Sequence, residues 1–260
     1  MGPKKYLGQH FLTAVSSAQR IADSIPATPG EHVLEIGPGR GALSVHLIRR
    51  FPDFHCVEID PDVIHVLCGK LGPGLWTLHQ NDVLKFDFLK AGVPLHLAGN
   101  LPYSIGAMII RKSLLYGSAI RSCTFMVQRE VAQRIVAGPH CKQNGFLSVF
   151  CQFFGKPTIL FHIPRGAFFP RPNVDSSVFR LMVDANPEEK LPARLWKPYF
   201  AFVDKGFRMR RKMLVNVLGR DCGKEHVTDL LGEINMDPTA RPEDLSAVQW
   251  LELYKKSCGQ

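Results

Sequence analysis

The chain has no apolar run approaching the roughly 18 residues that cross a bilayer as a helix, and Met1-Gly2-Pro3-Lys4-Lys5 leads into no signal-peptide apolar region. It has no C-x-x-C pair, and its seven cysteines are scattered and odd in number. That pattern argues against a disulfide frame or a cysteine zinc site and for reduced thiols in a cytoplasmic protein. Acids are scarce relative to bases, 23 against 32, for a net charge of +9. A polyanionic partner therefore has to be considered. The excess lies before residue 182, where 19 basic residues meet 11 acidic ones, against 13 and 12 afterwards. What is present is globular: 260 residues, 45% hydrophobic and 10% aromatic, suffice for one large and one small domain.

The chain is organised around Val33-Leu34-Glu35-Ile36-Gly37-Pro38-Gly39-Arg40-Gly41. An apolar run, a glycine-rich turn and the helix-prone stretch from Ala42 to Leu47 read as strand, tight loop and helix, the opening of a nucleotide-type βαβ unit. Gly37-x-Gly39-x-x-Ala42 also satisfies the dinucleotide fingerprint, so the glycines alone do not separate nicotinamide cofactors from S-adenosylmethionine. Two acids help. Glu35 ends its strand where a carboxylate opposes a diphosphate but suits ammonium and sulfonium charges. Glu58 ends the next apolar run, where it can accept hydrogen bonds from both ribose hydroxyls of either cofactor. A helix from Pro61 to Leu71 and a strand from Leu75 to His79 follow. Asn81-Asp82 comes at the carboxyl end of that strand, where Asp82 is an acceptor for an adenine amine or simply a turn residue.

A second element follows Pro94-Leu95-His96-Leu97-Ala98, which delivers Gly99-Asn100-Leu101-Pro102-Tyr103 to the same sheet edge. The lone pair of an adenine amine is delocalised into the ring, so a catalyst needs acceptors that hold the amino hydrogens and let the nitrogen pyramidalise. The Asn100 side-chain oxygen and the Leu101 carbonyl, stiffened by Pro102, can supply them, and Tyr103 can stack on a base taken out of its helix. A proline turn with a packing tyrosine is the plainer reading of the same four letters.

Elsewhere, Lys4 to Leu12 is a basic, aromatic arm. Thr13 or Ser16 is expected to cap a first helix that turns Ile21, Ala22 and Ile25 inward. Phe146, Phe150, Phe153 and Phe154 form a helical stripe expected to face the sheet. Lys205 to Lys212 carries five basic residues and no acid; it reads as a solvated face or as a set of phosphate contacts. The remaining histidines, such as His79 and His96, lack metal-ligand spacing, and no metal is expected.

Leu7 to Leu12, Glu35 to Gly41, Asn100 to Tyr103, Gln128-Arg129-Glu130-Val131, Ala137-Gly138-Pro139, Phe168 to Ser176, Phe207-x-x-Arg210-Arg211-Lys212 and Arg241 to Ser246 together closely resemble the ribosomal RNA adenine dimethyltransferases. They come in that family's order and spacing and cover nearly the whole chain. The likeness is greatest to the bacterial small-subunit (16S) type, partly through Arg241 to Ser246.

The resemblance implies an α/β fold: a Rossmann-like, S-adenosylmethionine-dependent methyltransferase sheet of seven strands over residues 1–183. A linker near Asp184 to Pro192 and a small helical RNA- or ribosome-binding domain over 184–260 would follow. It implies cofactor contacts at His10, Leu12, Gly37, Glu58, Asp82 and Asn100; the family usually has Asn where this chain has His10, and imidazole can still donate one hydrogen bond. It places the base platform on Tyr103 and Phe168, with core packing as their alternative. RNA phosphates would be met by Lys4, Lys5, Arg129, Arg134, Lys205, Arg208, Arg210, Arg211 and Lys212. The implied activity is dimethylation of adenosines in 16S rRNA within the small (30S) subunit, by a cytoplasmic monomer with no membrane partner. Three alternatives remain: the related large-subunit enzyme of macrolide resistance, an assembly or transcription factor that keeps the fold to bind RNA, and, remotely, a nicotinamide dehydrogenase, for which no His or Lys sits where hydride chemistry would use it.

Overall fold

A computed structural model describes residues 10–259, so the expected phosphate contacts Lys4 and Lys5 lie outside the described residues. Nine strands are present among the described residues: β1 (Phe11–Leu12), β2 (His32–Ile36), β3 (Phe54–Glu58), β4 (Trp76–Gln80), β5 (Leu95–Asn100), β6 (Ile120–Gln128), β7 (Gly155–Ile163), β8 (Phe168–Phe169) and β9 (Ser176–Val183). The helices are α1 (Val15–Asp23), α2 (Ser44–Arg50), α3 (Pro61–Leu71), α4 (Gly106–Leu114), α5 (Arg129–Val136), α6 (Phe146–Phe154), α7 (Pro187–Lys190), α8 (Trp196–Phe207), α9 (Leu214–Val217), α10 (Gly219–Cys222), α11 (Lys224–Glu233) and α12 (Ala247–Ser257). None of them is long and apolar enough to cross a membrane.

The chain divides into two compact units. The first runs to Ala132 and resumes over Lys156–Ala185; the second comprises Gln133–Gly155 and the chain from Asn186 onward.

The first unit holds a seven-stranded sheet in the order β4-β3-β2-β5-β6-β9-β7. Strands β4, β3, β2, β5 and β6 are mutually parallel, and β9 runs antiparallel to β6. The central strands are nearly continuous apolar runs, buried at every position of β5 except Asn100, as expected where both faces of a parallel sheet are covered. From β2 the chain moves to β3 and β4 on one side, then to β5 and β6 on the other. The order thus reverses between β2 and β5, and a crevice opens beyond their carboxyl ends, where Gly37 and Asn100 emerge.

Local chemistry sets the helix starts. Asp60 caps α3 through the Asp62 amide, ahead of Pro61 in the first turn. The start of α1 differs from expectation: neither Thr13 nor Ser16 caps it, and Ala14 stands at the N-cap. The Thr13 hydroxyl instead donates to the Ala167 carbonyl at 2.9 Å, which ties the chain after β1 to the residue before β8. Ile21, Ala22 and Ile25 are buried as read.

The second unit is helical. The Phe146, Phe150, Phe153 and Phe154 stripe is core, but its partners correct the sequence reading. The rings meet α8 rather than the sheet: Phe150 lies 4.3 Å from Phe200, Phe154 5.0 Å from Trp196, and Phe153 5.3 Å from Tyr199, centroid to centroid. The helical unit therefore takes in Gln133–Gly155 besides the carboxyl-terminal segment, and the linker region near 184–192 holds the short helix α7.

Candidate active site

A cavity of about 330 Å³ occupies the crevice of the first unit, large enough for one cofactor-sized molecule. The elements converging on it bring together His10, Leu12, Gly37, Glu58, Asp82, Asn100, Leu101, Pro102 and Tyr103. Glu35 also lines it, although only 2% exposed. Phe168 does not reach the lining. It is buried in the core with Leu12 and Ile21, and the exposed ring of β8 is Phe169.

The glycine loop leaves room where a ligand would need it. Gly37 has φ +64° and open space where a Cβ would stand. Gly39 has φ +55°, and a Cβ there would come within 3.2 Å of the Phe11 ring. Phe11 packs on this loop from β1, with the Arg40 guanidinium 4.6 Å from its ring centre. Strand β1 pairs with β8, Leu12 opposite Phe168, and the His10 Nδ1–H donates to the Pro170 carbonyl at 2.7 Å. A strap from the start of the described chain therefore crosses the cavity and is fastened to residues some 160 positions away.

The acids of the cavity are held differently. Ser44 Oγ donates to Glu35 Oε2 at 2.6 Å. Burial pushes the Glu35 carboxyl up to about 8, with the Ser44 bond opposing the rise and Glu58 adding to it. Glu58 Oε1 accepts from the amides of Ile59 at 2.9 Å and Asp60 at 3.0 Å, while Oε2 receives only the longer 3.3 Å contact from Gly39 N–H. Its carboxyl is also raised, burial outweighing those amides. Asp82 Oδ1 caps the Leu84 amide at 2.9 Å, and Oδ2 has no partner among the described residues.

Asn100 is oriented by chemistry. Its side chain lies 2.9 Å from the His10 carbonyl, which can only accept, so the NH₂ group faces His10 and the oxygen is left to accept elsewhere. Tyr103 is half-buried, its ring stacked on the His10 imidazole at 5.4 Å and its hydroxyl 2.8 Å from Ser176 Oγ. Burial raises the Tyr103 phenol above its usual range, keeping it neutral.

The polar groups of this lining fit an adenosyl sulfonium ligand. They are mostly acceptors and acids, matched to ribose hydroxyls, an adenine amine and positive charge, whereas a diphosphate would meet Glu35 and Glu58. Sequence reasoning gave no role of their own to Phe11 and Ser176, although both lie in stretches that carry the family resemblance, and it missed Ser44 and the β1–β8 strap. Two-residue strands carry no periodicity, and Ser44 belongs to no spacing signal.

The basic residues divide. Arg129 is exposed at the start of α5, just past the carboxyl end of β6, and Arg134 is exposed near the end of that helix. Within the helical unit, Lys205 pairs with Asp221 and Arg208 with Asp204. Arg210 departs from the phosphate reading: its Nη2 donates to the carbonyls of Lys142 and Asn144 and to Glu243 Oε2, at 2.6, 2.8 and 3.0 Å. Arg211 and Lys212 are exposed and have no ion-pair partner among the described residues.

Residues 3–257 match the family model described as ribosomal RNA adenine dimethylase. Ribosomal RNA small subunit methyltransferase A of Aromatoleum aromaticum is 38% identical over 250 residues, covering 96% of this chain and 92% of the relative. The protein of that name from Xanthomonas campestris pv. campestris is 38% identical over 253 residues, covering 96% and 94%. In fold, the chain resembles a dimethyladenosine transferase from Plasmodium falciparum, with TM-score 0.83, 22% identity and coverage of 96% and 98%. It also resembles the 23S rRNA methyltransferase ErmE, with TM-score 0.75, 26% identity and coverage of 95% and 98%. With a βαβ switch-point cavity lined by Asn100-Leu101-Pro102-Tyr103 and a family match over nearly its whole length, the chain belongs to the ribosomal RNA adenine dimethylases.

Proposed function

We propose that this protein transfers methyl groups from S-adenosylmethionine to the exocyclic amines of adjacent adenosines near the 3′ end of 16S rRNA, in the small (30S) ribosomal subunit, two to each. It does so as a cytoplasmic monomer during subunit maturation. The observation that carries the reading is the Asn100 amide, anchored through its NH₂ so that its oxygen stands unpartnered at the cavity. The small-subunit substrate is supported by the names of the similar relatives.

The cofactor supplies an electrophilic methyl group on a sulfonium sulfur. Glu58 would hold the ribose hydroxyls, Asp82 the adenine amine, Gly37 the close backbone approach, and His10 and Leu12 the covering strap. Glu35, ionised, would complement the positive charge. The Asn100 oxygen and the Leu101 carbonyl accept the hydrogens of the target amine and draw its lone pair out of conjugation. Tyr103 stacks on the flipped base, its ring fixed by Ser176. The proposed base platform keeps Tyr103, while Phe168 is core packing. Phosphates are met by exposed cations, Arg129, Arg134, Arg211 and Lys212 among them. Positioning accounts for most of the rate.

The test is transfer of labelled methyl from S-adenosylmethionine to purified small and large subunits lacking adenine dimethylation, followed by nucleoside mass spectrometry. The expected product is N6,N6-dimethyladenosine in small-subunit RNA alone. Label in large-subunit RNA instead would give the macrolide-resistance reading. Binding without label would make the protein an assembly factor on a methyltransferase fold.

A further inference from the structure

Lys112 lies on α4, away from every basic cluster that the sequence singles out, and its ammonium points inward. Nζ donates to the Val83 carbonyl at 2.8 Å and to the Phe86 carbonyl, and it lies 4.8 Å from the centre of the Phe88 ring. The segment it grips is the turn that begins at Asp82. At one end of that turn Asp82 Oδ1 caps the Leu84 amide, and the Lys85 and Phe86 amides close onto the Asp82 carbonyl. At the other end the free carbonyls of Val83 and Phe86 meet Lys112. A turn whose amide end is capped by a carboxylate and whose carbonyl end is capped by an ammonium is held from both sides. Partial burial brings the amine below its usual value, and the charges of Asp82 and Asp87 oppose that fall.

The helix that carries Lys112 also borders the catalytic loop. Ile105 and Ile109, at the start of α4, line the same cavity as Asp82, Val83 and Leu84. One ammonium therefore braces the wall that carries Asp82 against the helix that follows Asn100-Leu101-Pro102-Tyr103.

We propose that Lys112 is a positioning residue for the cofactor's adenine: by gripping the Val83 and Phe86 carbonyls it aims the unpartnered Asp82 Oδ2 at the exocyclic amine, and it touches neither RNA nor the reacting atoms. The inference rests on the assignment of Asp82 to the adenine amine, and the experiment separates the two. Calorimetry would measure binding of S-adenosylhomocysteine and of its deaminated inosyl counterpart, which lacks that amine, to the native protein, Lys112→Met and Asp82→Asn. The native protein should prefer the adenosyl ligand. Lys112→Met should weaken adenosyl binding about tenfold while leaving inosyl binding nearly unchanged, so that discrimination collapses as it does in Asp82→Asn. In Lys112→Met, small-subunit affinity and the methyl-transfer rate at saturating cofactor should stay within about twofold of native. If the Met variant does not fold, Lys112→Gln, whose amide stops short of the carbonyls, should show the same collapse. Discrimination lost in Asp82→Asn but kept in the Lys112 variants would overturn the inference and leave the Asp82 assignment standing. Discrimination kept in every variant would overturn both. A loss of subunit affinity with unchanged cofactor binding would make Lys112 an RNA contact.

Discussion

In the cavity, Asn100 and Asp82 each hold an oxygen with no partner among the described residues, and Glu58 Oε2 has one long contact. In the helical unit two polar side chains, Asn144 and Arg210, are answered from within, while the buried Tyr199 hydroxyl finds no partner among the described residues. Asn144, 2% exposed, donates to the carbonyls of Glu243 and Leu245, and Arg210 directs a single nitrogen at three acceptors. Satisfied networks hold a unit in one shape, whereas acceptors left open beside a cavity await a ligand. The two regions thus divide the labour between stability and chemistry, and substitutions should separate them.

The largest effect on stability should come from the aromatic core of the helical unit. Phe150→Ala removes a ring that is 1% exposed and should cost about 3–5 kcal/mol in denaturant unfolding, with cofactor affinity of the folded protein within about twofold of native. A fall in cofactor affinity greater than that would break the division. Arg210→Ala should cost about 0.5–1.5 kcal/mol, because it removes bonds to two carbonyls and to Glu243 at a partly exposed site. It should leave the salt dependence of subunit binding nearly unchanged; a clear drop in salt slope without loss of stability would restore its phosphate role.

Glu35 gives a pH signature. Its folded carboxyl sits near 8, above the ordinary 4.5, so the folded state keeps a proton that the unfolded chain has released. Stability from this group is therefore present below the ordinary value and lost as pH rises toward 8. A cationic ligand favours the carboxylate, so cofactor affinity should climb with pH, by at most about tenfold per unit, until the carboxyl is ionised. Glu35→Gln should flatten both profiles; parallel profiles in titration calorimetry would remove the group from cofactor binding. The smallest effects should come from Arg211→Ala and Lys212→Ala, each within about 0.5 kcal/mol in stability and each lowering the salt slope of subunit binding by about 1.

Much of the site was legible because its pieces are local. The glycine loop, Glu58 and the four residues from Asn100 follow strands whose apolar runs are visible in the letters, and a parallel sheet delivers strand ends to one edge. The remainder depends on contacts between distant residues. Periodicity showed that the Phe146 to Phe154 stripe is buried but not against what, and the answer was α8, over 40 residues on. Arg210 and Lys112 are both basic residues in a basic chain. Long cationic side chains reach backbone carbonyls as readily as phosphates, and only the fold showed that these two bond carbonyls of the chain itself. Phe168 and Phe169 are adjacent and identical in the sequence; the pairing of β8 with β1 buries one and exposes the other.

The most direct test of the account is single-turnover methyl transfer by Asn100→Ala on small subunits lacking dimethyladenosine, with subunit binding and cofactor binding measured in parallel. The account predicts a rate lower by about 10²–10³-fold, the scale of losing one preorganised hydrogen-bonding group, with subunit binding unchanged and cofactor affinity reduced far less than the rate. A rate near native would contradict it, and would place the acceptor of the amine hydrogens elsewhere in the cavity.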